Sequence, residues 1–334
     1  MPEPTRRPTL RDIADDTGLS TAAVSYALRG LHVPSETQDR VRRSADRLGY
    51  QVNPIARALA SGRTGYIGVL CRSLEDMWQQ DVAAAIGRRF IAVDRHALLV
   101  DASNDPSSEH ALAQQLVDQR VDALICLPVD PLGEFWKSIA AQTVLISLGD
   151  AMPHAPTAAA VIFDNAAGVT DAITRLAANG HRDIAVLTPT GIATPDRPAE
   201  DVVRALSGRL GLHARLHPSP HDIDGAAAVA RELLQTDQPP TGFLCLSDAM
   251  AYGVYAAAQQ LGLDVPGDVS VIGFDDHRVS RLLSPPLTSY RWPFDEIVDE
   301  VTQRTLRAID TGKRMRRKVI SPEIQWRESV RSLA

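Results

Sequence analysis

From Tyr66 onward, short apolar runs alternate with amphipathic stretches, and this alternation constrains the fold more than any other feature of the chain. Ile67–Cys71, Ala97–Val100, Ala123–Leu127 and Val144–Leu148 form one series of apolar runs, and Ile184–Leu187, Gly242–Leu246 and Val269–Phe274 form a second. Between them, stretches such as His110–Gln119, Ala166–Ala178 and Ala249–Leu261 space their apolar residues as a helix does. Short continuous apolar runs suit strands buried on both faces, as in parallel sheets covered by helices. Two consecutive series therefore predict two doubly wound α/β lobes, with Asn179-Gly180 as a helix stop in the second. Ligand is expected beyond the strand C-terminal ends, in a cleft between the lobes.

The first sixty residues follow different rules. A chain of 334 residues exceeds one ordinary core, so a separate unit is expected. Thr9-Leu-Arg-Asp12 reads as a capping box before apolar Leu10, Ile13 and Ala14. Gly18 interrupts the run, Ser20 caps a second helix through Leu28, and Gly30 ends it. Ser35-Glu-Thr-Gln38 repeats the box before a third helix striped by Val41, Ala45 and Leu48. Two helices joined by a tight turn, plus a third, fit the helix-turn-helix pattern, and a plain three-helix cap fits as well. Charge favours the former. Residues 1–63 carry +3 whereas the whole chain carries −6, so a basic head precedes an acidic body. The segment Tyr50–Arg63 contains a helix too short to persist without a partner.

Other chemistry finds little support. No apolar run approaches the ~20 residues that cross a bilayer, and Met1–Arg7 lacks the apolar stretch of a secretory signal. Cys71, Cys126 and Cys245 are too scattered for a disulfide framework or zinc cluster and read as buried apolar fillers. His213, His217 and His221 have ligand spacing for a helix, but Pro218 and Pro220 forbid that helix, so a surface loop is expected and no metal. No P-loop, GxGxxG after a strand, GxSxG or HExxH is present, so neither an enzyme nor a cofactor is expected. Lys313–Lys318 reads as a solvated turn.

Several ordered pieces resemble the LacI/GalR transcriptional regulators. They include Thr9-Leu-Arg-Asp-Ile-Ala, Gly18-Leu-Ser-Thr-Ala-Ala-Val-Ser25, Tyr50-Gln-Val-Asn-Pro and Ala56-Arg-Ala-Leu-Ala. Gly180-His-Arg-Asp-Ile-Ala, Leu246-Ser-Asp-Ala-Met-Ala and Val265-Pro-Gly-Asp-Val-Ser-Val-Ile-Gly-Phe-Asp-Asp276 continue the match. The resemblance implies an all-α helix-turn-helix DNA-binding domain (1–50), a hinge helix (51–63) and a two-lobed, periplasmic-binding-protein-like α/β effector domain (64–334). The lobes are expected near 64–163 with 291–320, and near 164–290 with 321–334. It further implies a cytoplasmic repressor that binds double-stranded operator DNA as a homodimer, without membrane contact, under control of a small sugar-like effector. Because no heptad helix follows Trp326, a dimer rather than a tetramer is expected.

Site residues follow from the same resemblance. Thr21, Ala22 and Tyr26 match the recognition positions that face bases, with Tyr26 where arginine is frequent in the family. Thr9, Ser20, Ser25 and Asn53 match phosphate contacts, which for Thr9 and Ser20 coexist with capping. Ala56 and Arg57 belong to the hinge segment on DNA, and Leu59 matches the leucine that wedges into the minor groove. In the cleft, Arg197 and Asp275 match a polar clamp on the effector, and Ser247 takes a position often held by asparagine. The aromatic platform of sugar-binding relatives falls near Pro220, while Trp292 stands where glutamine is common and either stacks on ligand or fills the cleft. A free solute-binding protein and a doubly wound cytosolic enzyme are the competing readings.

Overall fold

The computed structural model describes residues 8–28, 30–31, 33–50, 58, 62–189 and 199–333. The chain divides into two compact units, Met1–Thr64 and Gly65–Ala334.

In the first unit, helices α1 (Leu10–Thr17), α2 (Thr21–Leu28) and α3 (Ser35–Leu48) enclose a small core. Ile13, Val24, Ala27 and Val41 are fully buried in it, with Ala14 and Ala45 beside them. Thr9 and Asp12 close the expected capping box, the Thr9 N–H donating to the Asp12 carboxylate at 2.7 Å. Gly18, at φ 67°, supplies the left-handed residue that ends α1 and lets α2 turn across it. Ser20 caps α2, its hydroxyl accepting from the Ala23 N–H at 3.2 Å. The second expected capping box does not form. Pro34 occupies the cap position of α3 and has no N–H to offer, so the Gln38 side-chain amide donates to the Val33 carbonyl at 2.9 Å instead.

The second unit contains two sheets. The first comprises β1 (Tyr66–Cys71), β2 (His96–Asp101), β3 (Ala123–Cys126), β4 (Val144–Gly149), β5 (Ala159–Phe163) and the late strand β11 (Lys318–Ile320). Its order is β11-β5-β4-β3-β1-β2, with every pairing parallel. Helices α4 (Met77–Ile91), α5 (Pro106–Asp118) and α6 (Trp136–Gln142) make its crossovers. The second sheet comprises β6 (Asp183–Pro189), β7 (His213–Ser219), β8 (Gly242–Cys245), β9 (Ser270–Phe274), β10 (Thr288–Arg291) and β12 (Glu323–Gln325). Its order is β12-β10-β9-β8-β6-β7, parallel except for β12 against β10. Around it lie α7 (Asn165–Ala178), α8 (Ala199–Leu210), α9 (Ile223–Leu234) and α10 (Asp248–Leu261). Helix α11 (Phe294–Thr311) returns to pack on the first sheet.

The chain therefore passes between the sheets after Phe163, after Arg291 and after Ile320. Strands β3 and β8 are buried throughout and β1 from Ile67 onward, as their apolar runs require, and the three cysteines are buried fillers. One expectation is corrected. His213 and His217 do not lie in a loop but on β7, an edge strand whose free side tolerates Pro218.

Candidate functional site

Strand β9 ends at Phe274, and the next two residues take left-handed conformations, Asp275 at φ 100° and Asp276 at φ 47°. Non-glycine residues adopt such angles only where surroundings over-determine them. Here the Asp275 N–H donates to the Tyr290 carbonyl at 2.7 Å, and the Asp276 N–H donates to the Ser289 hydroxyl at 3.1 Å. The turn brings the Asp275 carboxylate beside the Asp248 backbone N–H at the start of α10 and beside the Trp292 indole, both of which favour its charged form. Burial, then the neighbouring charges of Asp76 and Asp248, raise its pKa well above the usual carboxylate range despite those donors.

Asp76 comes from the other lobe. It caps α4 just beyond the C-terminal end of β1, accepting from the N–H groups of Trp78 at 2.9 Å and Gln79 at 3.3 Å. Its carboxylate lies 3.7 Å from the His221 ring, which follows β7 on the second lobe. Burial lowers the His221 pKa, with Asp76 opposing the shift. A second pair spans the lobes nearby, Arg278 to Asp81 at 3.1 Å.

Aromatic rings close the space between these charges. Trp78 meets Phe163 edge-on at 5.3 Å, and Phe163 stacks on Trp292. Trp292 is only 4% exposed and packs against Phe163 and Phe274. A cleft of about 560 Å³ opens beside it, lined by Trp78, Asp81, Asp275, His277, Arg291 and Trp292 among others. This meets the usual size of a small-molecule pocket, with polar groups converging from two lobes.

The sequence-derived cleft residues separate. Asp275 and Trp292 come together. Ser247 is buried and caps α10, its hydroxyl accepting from the Met250 N–H at 3.3 Å. Arg197 lies outside the described residues, as do Asn53, Ala56, Arg57 and Leu59. Sequence reasoning missed Asp76, Trp78, Phe163 and His221. A usable signal existed for Asp76, an acid set just after a strand and before a helix, which is where both caps and cleft residues fall.

In the first unit, α2 buries Val24 and Ala27 and turns Thr21, Ala22 and Tyr26 outward, Tyr26 being 45% exposed. Thr9 and Ser20 are exposed at the starts of α1 and α2, and Ser25 is half-buried. A second helix that exposes small residues at its N-terminal part, with one aromatic a turn later, is the geometry with which helix-turn-helix proteins enter the major groove.

Comparison with known proteins decides the family. The periplasmic binding protein-like domain matches residues 173–330. The HTH-type transcriptional regulator MalR of Streptomyces coelicolor is 33% identical over 85% of this chain and 85% of its own length. The ribose operon repressor of Haemophilus influenzae is 27% identical over 97% of this chain and 99% of its own. This chain belongs to the LacI/GalR family. A solved Lac repressor dimer, bound to operator and the anti-inducer ONPF, shares the fold of this LacI/GalR member with a TM-score of 0.84. That likeness extends over 98% of this chain and all of that one, at 23% identity. The LacI/GalR chain described here is thus a DNA-binding transcriptional regulator and not an enzyme. Among its described residues no helix is long and apolar enough to cross a membrane.

Proposed function

We propose that this regulator binds a near-palindromic operator as a homodimer and represses transcription under control of a small polyhydroxylated effector, a sugar or sugar derivative, held between the lobes. The observation that carries the effector reading is the Asp275 carboxylate, held in a strained turn at the mouth of a two-lobed cleft with Asp76 across from it. A carboxyl whose pKa is raised, as burial raises that of Asp275, can donate through one oxygen and accept through the other, so it suits a ligand whose hydroxyl groups both donate and accept. The name of the ribose operon repressor among the relatives supports the same class. Arg197 and Ser247 are proposed to complete the polar clamp, Ser247 in addition to capping α10, and Trp292 to back the site.

On DNA, Thr21, Ala22 and Tyr26 face base edges. Thr9, Ser20, Ser25, Asn53 and Arg57 contact phosphate. Ala56 and Leu59 lie in the hinge at the minor groove, with Leu59 as the wedge. The protein acts in the cytoplasm, where its operator is. A thermal-shift screen of pentoses, hexoses, disaccharides and their phosphates, with nucleosides and amino acids as controls, tests the effector class. A closing ligand raises Tm by mass action. A shift from a control class alone would overturn the sugar assignment. For DNA, selection from random duplexes followed by a salt titration tests the head, and enrichment of asymmetric sites bound by monomer would overturn the dimeric reading.

A further inference from the structure

Asp248 is the first residue of α10 and is 1% exposed, yet it carries a carboxylate. That carboxylate accepts from three donors on other elements. The His277 N–H donates to Oδ2 at 2.8 Å, the Ser280 hydroxyl donates to the same oxygen, and the Ser289 hydroxyl donates to Oδ1 at 2.6 Å. Ser280 belongs to the single turn after Asp275-Asp276, and Ser289 belongs to β10. Ser289 in turn accepts from the Asp276 N–H, so the carboxylate grips both ends of the left-handed turn. The space for it is provided by Gly273, where an added Cβ would stand 2.3 Å from Oδ1.

We propose that Asp248 is the positioning residue that holds the Asp275–His277 turn, and so the direction of the Asp275 carboxylate, and that protonation of Asp248 loosens this turn. Its relevance to effector rests on the cleft reading above; the turn itself does not. A protonated carboxyl has one oxygen converted from acceptor to donor, so a serine hydroxyl facing it must turn its own proton elsewhere, and the bonds that hold the turn change from charge-assisted to weaker neutral ones. Burial pushes the Asp248 pKa up to about 7, against the lowering effect of the Ser280, Ser289 and His277 donors. The charged and titratable groups around it are Asp275, Asp276, Tyr252, Tyr255 and Cys245, and the first two oppose a second negative charge. Arg291 and Arg327 pair with Asp276 and limit its effect. The His277 ring, lowered in pKa by burial, faces Asp81 and Arg278 instead.

The test needs no effector. Hydrogen–deuterium exchange of the full chain is followed in peptides spanning 274–291 from pH 5.5 to 8.5 and expressed as protection relative to the intrinsic rate at each pH. Wild-type protection should fall roughly two- to tenfold on acidification, the size of one lost net hydrogen bond. Asp248→Asn should show the low level throughout. Ser280→Ala removes one stabilising donor and should move the transition to higher pH. Flat wild-type protection, or an Asp248→Asn protein with wild-type protection, overturns the proposal. Should Asp248→Asn fail to fold, the Ser280→Ala midpoint decides, and an unmoved midpoint overturns it as well. A sugar screen that fails while these shifts appear would remove the effector reading and leave the positioning role in place.

Discussion

Phe163, at the end of β5, stacks on Trp292, in the crossover after β10, with ring centroids 4.6 Å apart and planes 28° apart. Each ring comes from a different sheet, so the stack joins the lobes beside the cleft as well as filling it. Such a pair adds about 0.5–1.5 kcal/mol beyond the burial of its area. Trp292→Ala should lower stability by about 3–5 kcal/mol, read by urea unfolding. Trp292→Phe should retain most of that stability, because it keeps a ring to stack on Phe163 while removing the indole N–H near Asp275. Equal losses from both variants would mean that the indole N–H, not the stack, holds the lobes.

Asp276 offers a sharper comparison, because two guanidiniums share one buried carboxylate. Arg327 donates to Oδ1 from a side chain 14% exposed, and Arg291 donates to Oδ2 at 2.7 Å from one 46% exposed. Arg327 also donates to the Leu287 carbonyl, tying the C-terminal segment to the second sheet. Arg327→Met should cost about 3–5 kcal/mol, as when a buried pair loses one member. Arg291→Met should cost within about 1 kcal/mol, as solvent replaces an exposed partner. Denaturation midpoints check both, and the reverse ranking would show that the surface arginine carries the pair.

Asp248 also gives stability a pH dependence of defined sign. Its native pKa of about 7 exceeds the ordinary 3.8, so between those values the folded state holds a proton that the unfolded chain has released. Stability from this group is therefore present at low pH and lost as pH rises through 7, by roughly 4 kcal/mol at most. Asp275 contributes with the same sign. His221 and His277, whose native pKa values are lowered, oppose it by losing stability as pH falls below their ordinary 6.5. Asp248→Asn should flatten the decline of unfolding free energy between pH 5 and 8 relative to wild type. Parallel curves for the two proteins would show that Asp248 does not titrate in that range. The carboxylate thus lowers global stability while ordering one turn, a pattern typical of functional sites.

Much of this architecture was legible in the sequence, for identifiable reasons. Parallel strands such as Ile67–Cys71 and Ala123–Leu127 are buried on both faces and must be continuously apolar. Among the edge strands, β2 keeps the apolar run Ala97–Val100, whereas β7 and β11 are polar runs, His213–Ser219 and Lys318–Ile320, that carry no such mark. Capping was visible at Thr9 and Ser20, where the cap and its partner are three residues apart. It failed at Ser35 because Pro34 took the cap position. Within the cleft, Asp275 stood out through its motif. The contacts between Asp76 and His221, or Phe163 and Trp292, join residues remote in sequence and exist only once two sheets face each other. Those are packing facts that no local pattern encodes.

Tyr26 gives the DNA-binding head its most direct test. It is 45% exposed on α2, one turn after Ala22, while Val24 and Ala27 on the opposite face are buried. Its removal should therefore leave the three-helix core intact. If its side chain reads a base edge, Tyr26→Ala should weaken binding to the selected operator by about 1–3 kcal/mol and relax preference at one position of each half-site. Non-specific affinity and the slope of log K against log salt should stay unchanged, because no phosphate contact has gone. Arg57→Ala should do the opposite, weakening all sequences together and reducing the salt slope by about 1 for each phosphate lost. Gel-shift titrations of both variants at several salt concentrations, on operator and scrambled duplexes, separate the two. A Tyr26→Ala protein with parallel losses on both duplexes would place that ring against the backbone, and the recognition face of α2 would then rest on Thr21 and Ala22 alone.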